Sequence, residues 1–184
     1  MRIAVYCGSR LGNDPSFAED ATRLAEELVH NGYGVVYGGG NIGLMGIVAD
    51  TVLAAGGEVI GVMPSHLTQR EIAHPGITEL HETVSMHERK ARMIELADGF
   101  VALPGGVGTL EELSEVLSWA RIGLHAKPLG VLNTGAYYQP LLAFLDSMVV
   151  HGFITRQERD LVFADEDPRR LVHRLAEAAA TQRS

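Results

Sequence analysis

Short apolar runs alternate with stretches of helical periodicity along the whole chain. Arg2–Cys7, Tyr33–Tyr37, Glu58–Val62, Thr78–Thr83, Phe100–Leu103, Leu129–Leu132 and Leu161–Phe163 are β-type runs bounded by turn residues. The spacing of apolar positions between them predicts helices near Pro15–His30, Gly43–Ala55, Met86–Ala97, Thr109–Ile122 and Tyr137–Val150, with a last one over Pro168–Ala180. The first helix shows the signal well. Asp14 is placed to cap it, Pro15 suits the first helical position, and Phe17, Ala21, Leu24, Ala25 and Leu28 form the apolar stripe. Strands separated by helices of this length predict βαβ units. The expectation is an α/β fold with a doubly wound, mostly parallel sheet of about seven strands, covered by helices on both faces. No repeat, low-complexity tract or linker interrupts the pattern, so residues 1–184 read as one domain. Pro64–Gly76 is the least regular stretch and reads as a surface loop.

In such a sheet the loops after the strand C-termini lie along one edge, where ligands bind. Three of these loops are unusual here. Gly8-Ser9-Arg10 follows the first strand, and Gly38-Gly39-Gly40-Asn41-Ile42-Gly43-Leu44-Met45-Gly46 follows the second. Pro104-Gly105-Gly106-Val107-Gly108-Thr109-Leu110-Glu111-Glu112 joins a buried strand to a helix whose apolar face carries Leu110, Leu113, Val116, Leu117 and Ala120. A glycine loop entering a helix leaves backbone N–H groups bare at the positive end of the helix dipole, which makes an anion site, most often for phosphate. Gly38-x-Gly40-x-x-Gly43 also matches the dinucleotide fingerprint. That reading needs an acidic residue at the end of the next strand. Glu58 precedes the strand and Met63-Pro64-Ser65 follows it, so a nicotinamide dinucleotide is disfavoured.

Two charged positions stand out beside these loops. Arg89 shares a helical face with Met86 and Met93, where a guanidinium is costly unless it is paired or reaches outwards. It either pins two helices through a carboxylate or reaches the anionic ligand, with Lys90 as a second cation. Glu112 closes a Thr109-x-x-Glu112 pattern, which fits a capping box as well as catalysis. A carboxylate in the first helical turn is favoured in its ionised form, so Glu112 suits a base or a stabiliser of positive charge.

Composition narrows the classes. A formal net charge of −8 argues against a general nucleic-acid binder. Ile3-Ala4-Val5-Tyr6 is too short for a signal-peptide core, and no apolar run reaches membrane-spanning length. A lone Cys7 excludes an internal disulfide framework and fits a reducing compartment, the cytoplasm. The eight histidines show no metal-ligand spacing, so no metal is expected.

Taken together, the Gly38–Gly46 loop, Met86-His87-Glu88-Arg89-Lys90 and Pro104–Glu112 resemble the Lonely Guy (LOG) family of cytokinin riboside 5′-monophosphate phosphoribohydrolases. The likeness runs from Cys7-Gly8-Ser9 through Trp119-Ala120-Arg121-Ile122-Gly123 to Gly152-Phe153-Ile154. Relatives often carry the label lysine decarboxylase, yet this sequence shows no evident Schiff-base lysine arrangement for pyridoxal phosphate. The resemblance implies a Rossmann-like homodimer with active sites near the subunit interface and no cofactor. It implies hydrolysis of the N-glycosidic bond of adenosine 5′-monophosphates, N6-prenylated or plain. Glu112 and Arg89 would be the catalytic pair. Gly8, Ser9, Gly39, Gly40, Asn41, Met86, Lys90, Gly105, Gly106, Val107, Gly108 and Thr109 would bind the nucleotide. Plant relatives have a glutamate shortly after the Met-Pro pair, where this chain has Ser65 and His66. The competing reading is a non-catalytic carrier of a phosphorylated, nucleotide-like cofactor, for which an intact Arg89-Lys90 and Glu112 set would have no use.

Overall fold

The computed structural model of the chain describes residues 1–68 and 73–181. Seven strands form one sheet: β1 (Arg2–Tyr6), β2 (Gly34–Tyr37), β3 (Val59–Pro64), β4 (Glu79–Thr83), β5 (Gly99–Ala102), β6 (Leu129–Leu132) and β7 (Val162–Asp165). Their order is β4-β3-β2-β1-β5-β6-β7, and every pairing is parallel. The expected mostly parallel sheet is thus parallel throughout its strands. The helices are α1 (Ser16–His30), α2 (Gly43–Ala54), α3 (Ser65–Thr68), α4 (Met86–Leu96), α5 (Val107–Arg121), α6 (Gln139–Val150), α7 (Arg156–Arg159) and α8 (Pro168–Thr181).

Alternation along the strands divides the core into two layers. Ile3 and Val5 of β1 pack with Leu24, Leu28, Val48 and Leu175 under α1, α2 and α8. Ala4 and Tyr6 face the other way, toward Met93, Phe100, Leu113 and Leu142 under α4, α5 and α6. β1 and β5 are buried on both faces apart from the first residue of β1. That is why they read as continuous apolar runs. After β4 the chain returns through α4 to place β5 beside β1, so the winding direction reverses between these two strands. A ligand crevice is expected at that reversal.

Two expectations are corrected here. Pro64 is the last residue of β3 and Ser65–Thr68 form a helical turn, so the stretch expected to be an irregular loop starts with regular structure. Its residues 69–72 lie outside the described residues. Further on, α5 starts at Val107 rather than Thr109, with Gly106 in the N-cap position and no side-chain cap bond. Thr109 and Glu112 are therefore both inside the helix, and they form no capping box.

Candidate active site

Three loops meet over the C-terminal ends of β1, β2 and β5. The Gly8 amide donates to Pro104 O at 3.1 Å, and the Leu44 amide donates to Gly8 O at 3.0 Å. These bonds stitch the β1 loop to the starts of the β5 loop and of α2. Gly43 makes the contact possible: its φ is +61°, and a Cβ there would lie 2.3 Å from the backbone of Ser9.

The first intrahelical bond of α5 runs from Leu110 N–H to Gly106 O, so the Val107, Gly108 and Thr109 amides precede the helical ladder. The glycines here differ in their reasons. A Cβ on Gly105 would sit 2.1 Å from Thr109 Oγ1, so packing alone excludes a side chain. A Cβ on Gly106 or Gly108 would meet nothing within 4 Å, and neither residue has a positive φ. Those two glycines keep open space beside bare amides, which is the geometry an anion needs.

Arg89 and Glu112 meet at the floor of this space. Arg89 Nη1 donates to Glu112 Oε1 at 2.7 Å, and Arg89 Nε donates to Val62 O at 2.9 Å. The two side chains are only 11% and 10% exposed, so the pair is largely removed from water. Gly38 is what admits the guanidinium, because a Cβ there would lie 2.5 Å from Arg89 Nη2. Burial pushes the Glu112 carboxyl above its ordinary value, and the neighbouring Arg89 charge opposes that shift. The raised value runs against the expectation that a helix N-terminus favours the ionised form. Glu112 lies in the second turn of α5, where dehydration is the largest influence on it. Burial also pushes the Cys7 thiol far up, which leaves it inert as a nucleophile.

A cavity of about 280 Å³ opens above the pair. The structure brings Gly8, Ser9, Arg89, Gly106, Val107, Gly108, Thr109 and Glu112 together in its wall. Gly105 stands one residue behind, lining the adjoining hollow of about 420 Å³ with Arg10, Phe17 and Tyr137. Other expected binding residues are not in the cavity wall. Gly39 and Gly40 support the 73–74 segment, through His74 N–H to Gly39 O and a bridge to Ala73. Asn41 lies between them and α2, with its Oδ1 buried and unpaired. Met86 is the exposed first residue of α4. Lys90 turns to the other side of α4, where Nζ meets Glu111 at 2.9 Å and Glu115 at 3.2 Å. Its side chain is 7% exposed, so it is spent within the protein. The wall also contains residues that the sequence did not single out, namely Tyr6, Met45, Met63 and Leu67. The last three add apolar side chains to the wall. Among the described residues, no group of three or more His, Cys, Asp or Glu side chains is placed to hold a metal.

A family profile described as "Possible lysine decarboxylase" matches residues 45–175. The cytokinin riboside 5′-monophosphate phosphoribohydrolase LOG of Oryza sativa subsp. japonica is 48% identical over 96% of this chain and 73% of its own length. LOG7 of Arabidopsis thaliana, of the same description, is 47% identical over 96% of this chain and 81% of its own. The chain belongs to the LOG family. Among solved structures, the molybdenum cofactor carrier protein of Chlamydomonas reinhardtii superposes with a TM-score of 0.74 over 98% of each chain. At 20% identity this likeness concerns the fold alone. The LOG-family fold is thus a Rossmann-like α/β sheet, and its site here occupies the reversal between β1 and β5.

Proposed function

We propose that this LOG-family chain hydrolyses the N-glycosidic bond of adenosine 5′-monophosphates, N6-substituted or plain, releasing the free base and ribose 5-phosphate. The observation that carries the reading is the buried Arg89–Glu112 pair facing the uncapped start of α5 across one small cavity. The names of relatives 45–49% identical to the chain support the same chemistry.

The residues account for the steps as follows. The 5′-phosphate binds at the Gly106, Val107, Gly108 and Thr109 amides, and this remote binding energy positions the ribose over Glu112. The bond from ribose C1′ to the purine nitrogen breaks with its electron pair leaving on the purine. Positive charge spreads over C1′ and the ring oxygen, and the Glu112 carboxylate stabilises it. Water adds to C1′ and loses a proton, which a carboxylate with a raised pKa is suited to accept. The departing purine takes up a proton. Arg89 is bound in the ion pair with Glu112. It therefore acts by charge and by holding Glu112 in place. Met45, Met63 and Leu67 offer an apolar wall for the base.

The test is incubation of the purified protein with AMP and with N6-isopentenyl-AMP, with products separated by chromatography. Release of adenine or of the N6-substituted base together with ribose 5-phosphate is expected. Binding without base release would transfer the weight to a carrier.

Gly108→Ala gives a sharper reading of the anion subsite. Alanine is favoured over glycine in a helix by up to about 1 kcal/mol, and the added methyl meets nothing in the fold. The melting temperature is expected to hold or rise while the KM for AMP increases. Thermal denaturation and steady-state kinetics on one preparation check both.

The same reading includes a homodimer in the cytoplasm. α5 and α6 line an apolar groove of about 470 Å³ with Leu110, Leu117, Leu141, Phe144 and Met148. Phe144 is 59% exposed, and Val107, which also lines the cavity, is 84% exposed. A patch of this kind favours a partner surface, and a second copy there would stand beside the active site. Phe144→Glu is expected to give a monomer in light scattering and to lower turnover. The buried, unpaired Cys7 suits a reducing compartment. No helix among the described residues is long and apolar enough to cross a membrane.

A further inference from the structure

The carbonyl groups leading into α5 are all engaged by the protein. Leu103 O accepts from Tyr138 Oη at 2.6 Å, Pro104 O from the Gly8 amide at 3.1 Å, Gly105 O from Tyr137 Oη at 2.5 Å, and Gly106 O from the Leu110 amide at 3.1 Å. Each of these carbonyls is thereby turned toward a donor of the protein. The Gly105–Gly106 peptide is the weakest point of that arrangement, because two glycines flank it and either orientation of the plane is sterically open to them. Flipping it would turn the Gly105 carbonyl toward the cavity and the Gly106 N–H away. The peptide is trans, so its C=O and N–H point in opposite directions, and holding one fixes the other.

Tyr137 is well placed to hold it. The turn after β6 presents the ring: Asn133 Oδ1 accepts from the Tyr138 amide at 2.7 Å, and Thr134 Oγ1 donates to Asp20 Oδ2 at 2.7 Å. The Tyr137 ring then packs edge-on against Phe17, at 5.7 Å between centroids, and against Tyr138, at 5.2 Å. A hydroxyl on a ring fixed by two aromatic neighbours has little freedom to leave its acceptor.

We infer that Tyr137 is a positioning residue for the phosphate subsite, locking the Gly105–Gly106 peptide so that its N–H, and not its carbonyl, serves the 5′-phosphate. This rests on the phosphoribohydrolase reading, in which α5 receives a phosphate. Tyr137 touches no reacting atom, so its loss falls on phosphate affinity and spares the chemical step.

The experiment compares wild type, Tyr137→Phe and Phe17→Leu with AMP, with adenosine, and with inorganic phosphate as inhibitor. Wild-type hydrolysis of AMP is read first. Its absence would refute the proposed reaction, whereas the inference about Tyr137 is judged only on differences from an active wild type. For Tyr137→Phe the KM for AMP and the inhibition constant of phosphate are each expected to rise about tenfold, the worth of a lost positioning hydrogen bond. The kcat for AMP and kcat/KM for adenosine, which lacks the phosphate, are expected to stay within about twofold. Phe17→Leu keeps the hydroxyl and loosens the ring packing, so it is expected to lower the melting temperature and to raise the KM for AMP by less than Tyr137→Phe does. An unchanged KM in Tyr137→Phe, an equal loss with adenosine, an equal rise in KM in Phe17→Leu, or failure of Tyr137→Phe to fold would each overturn the inference.

Discussion

Glu112→Gln lowers the rate of base release from AMP by a factor on the order of 100 or more, the usual cost of removing a group that meets transition-state charge. The substitution keeps the volume and one acceptor for Arg89 Nη1, so the loss cannot be assigned to a collapsed cavity. The KM is expected to change far less than kcat, because the phosphate subsite on α5 is untouched. Steady-state kinetics with AMP decides it, and a variant with near-normal kcat would remove Glu112 from the mechanism. The variant also alters the dependence of stability on pH. Burial raises the folded pKa of Glu112, so the folded chain keeps this proton to higher pH than the unfolded chain. Across the window that opens at the ordinary value of 4.5, the folded state binds more protons, and stability falls as pH rises. Glutamine does not titrate, so this particular slope should vanish from melting curves taken across the window.

Arg89→Met has the largest expected effect on stability. Removing one partner of a buried ion pair costs about 3–5 kcal/mol, a fall in Tm on the order of 10 °C for a chain of this size. The stranded carboxyl takes its proton more readily, so its pKa rises further and the acid limb of the kcat profile moves to higher pH. The loss of the bond to Val62 O adds to the cost, because that carbonyl belongs to a fully buried residue of β3. Pairing Arg89→Met with Glu112→Leu removes both charges together. The double variant is expected to regain most of the lost Tm and to show no base release, since apolar replacement of a buried pair is often neutral or stabilising. Calorimetry and a product assay on the two variants check both halves. A double variant no more stable than Arg89→Met would show that the pair is structural in its own right.

The sheet was legible because its central strands are buried on both faces, which writes them as unbroken apolar runs such as Phe100-Val101-Ala102-Leu103. The meeting of three loops at one edge followed from βαβ winding alone. The start of α5 was less legible. Thr109-x-x-Glu112 imitates a capping box, and only the observed position of Gly106 shows that the helix begins two residues earlier. Lys90 misled for a reason that helix geometry already contains. Adjacent residues on a helix do not face each other, and here Arg89 and Lys90 turn to different partners. Arg89 faces β3 and Glu112, while Lys90 faces Glu111 and Glu115. Tyr137 carried no local signal at all. It meets Gly105 across 32 residues of chain, and only the tertiary structure makes that meeting.

The placement of β5 has a consequence for the chain while it is being made. β1 precedes β5 along the chain, and its edge on the β5 side stays without a partner until residues 99–102 follow. Over that interval the chain carries Ile3-Ala4-Val5-Tyr6, apolar and open on one side, and an unpaired edge of this kind invites pairing with other chains. Truncations ending between β4 and β5 should therefore aggregate rather than persist as a half-domain. The crevice between β1 and β5 exists only once that late strand has been inserted.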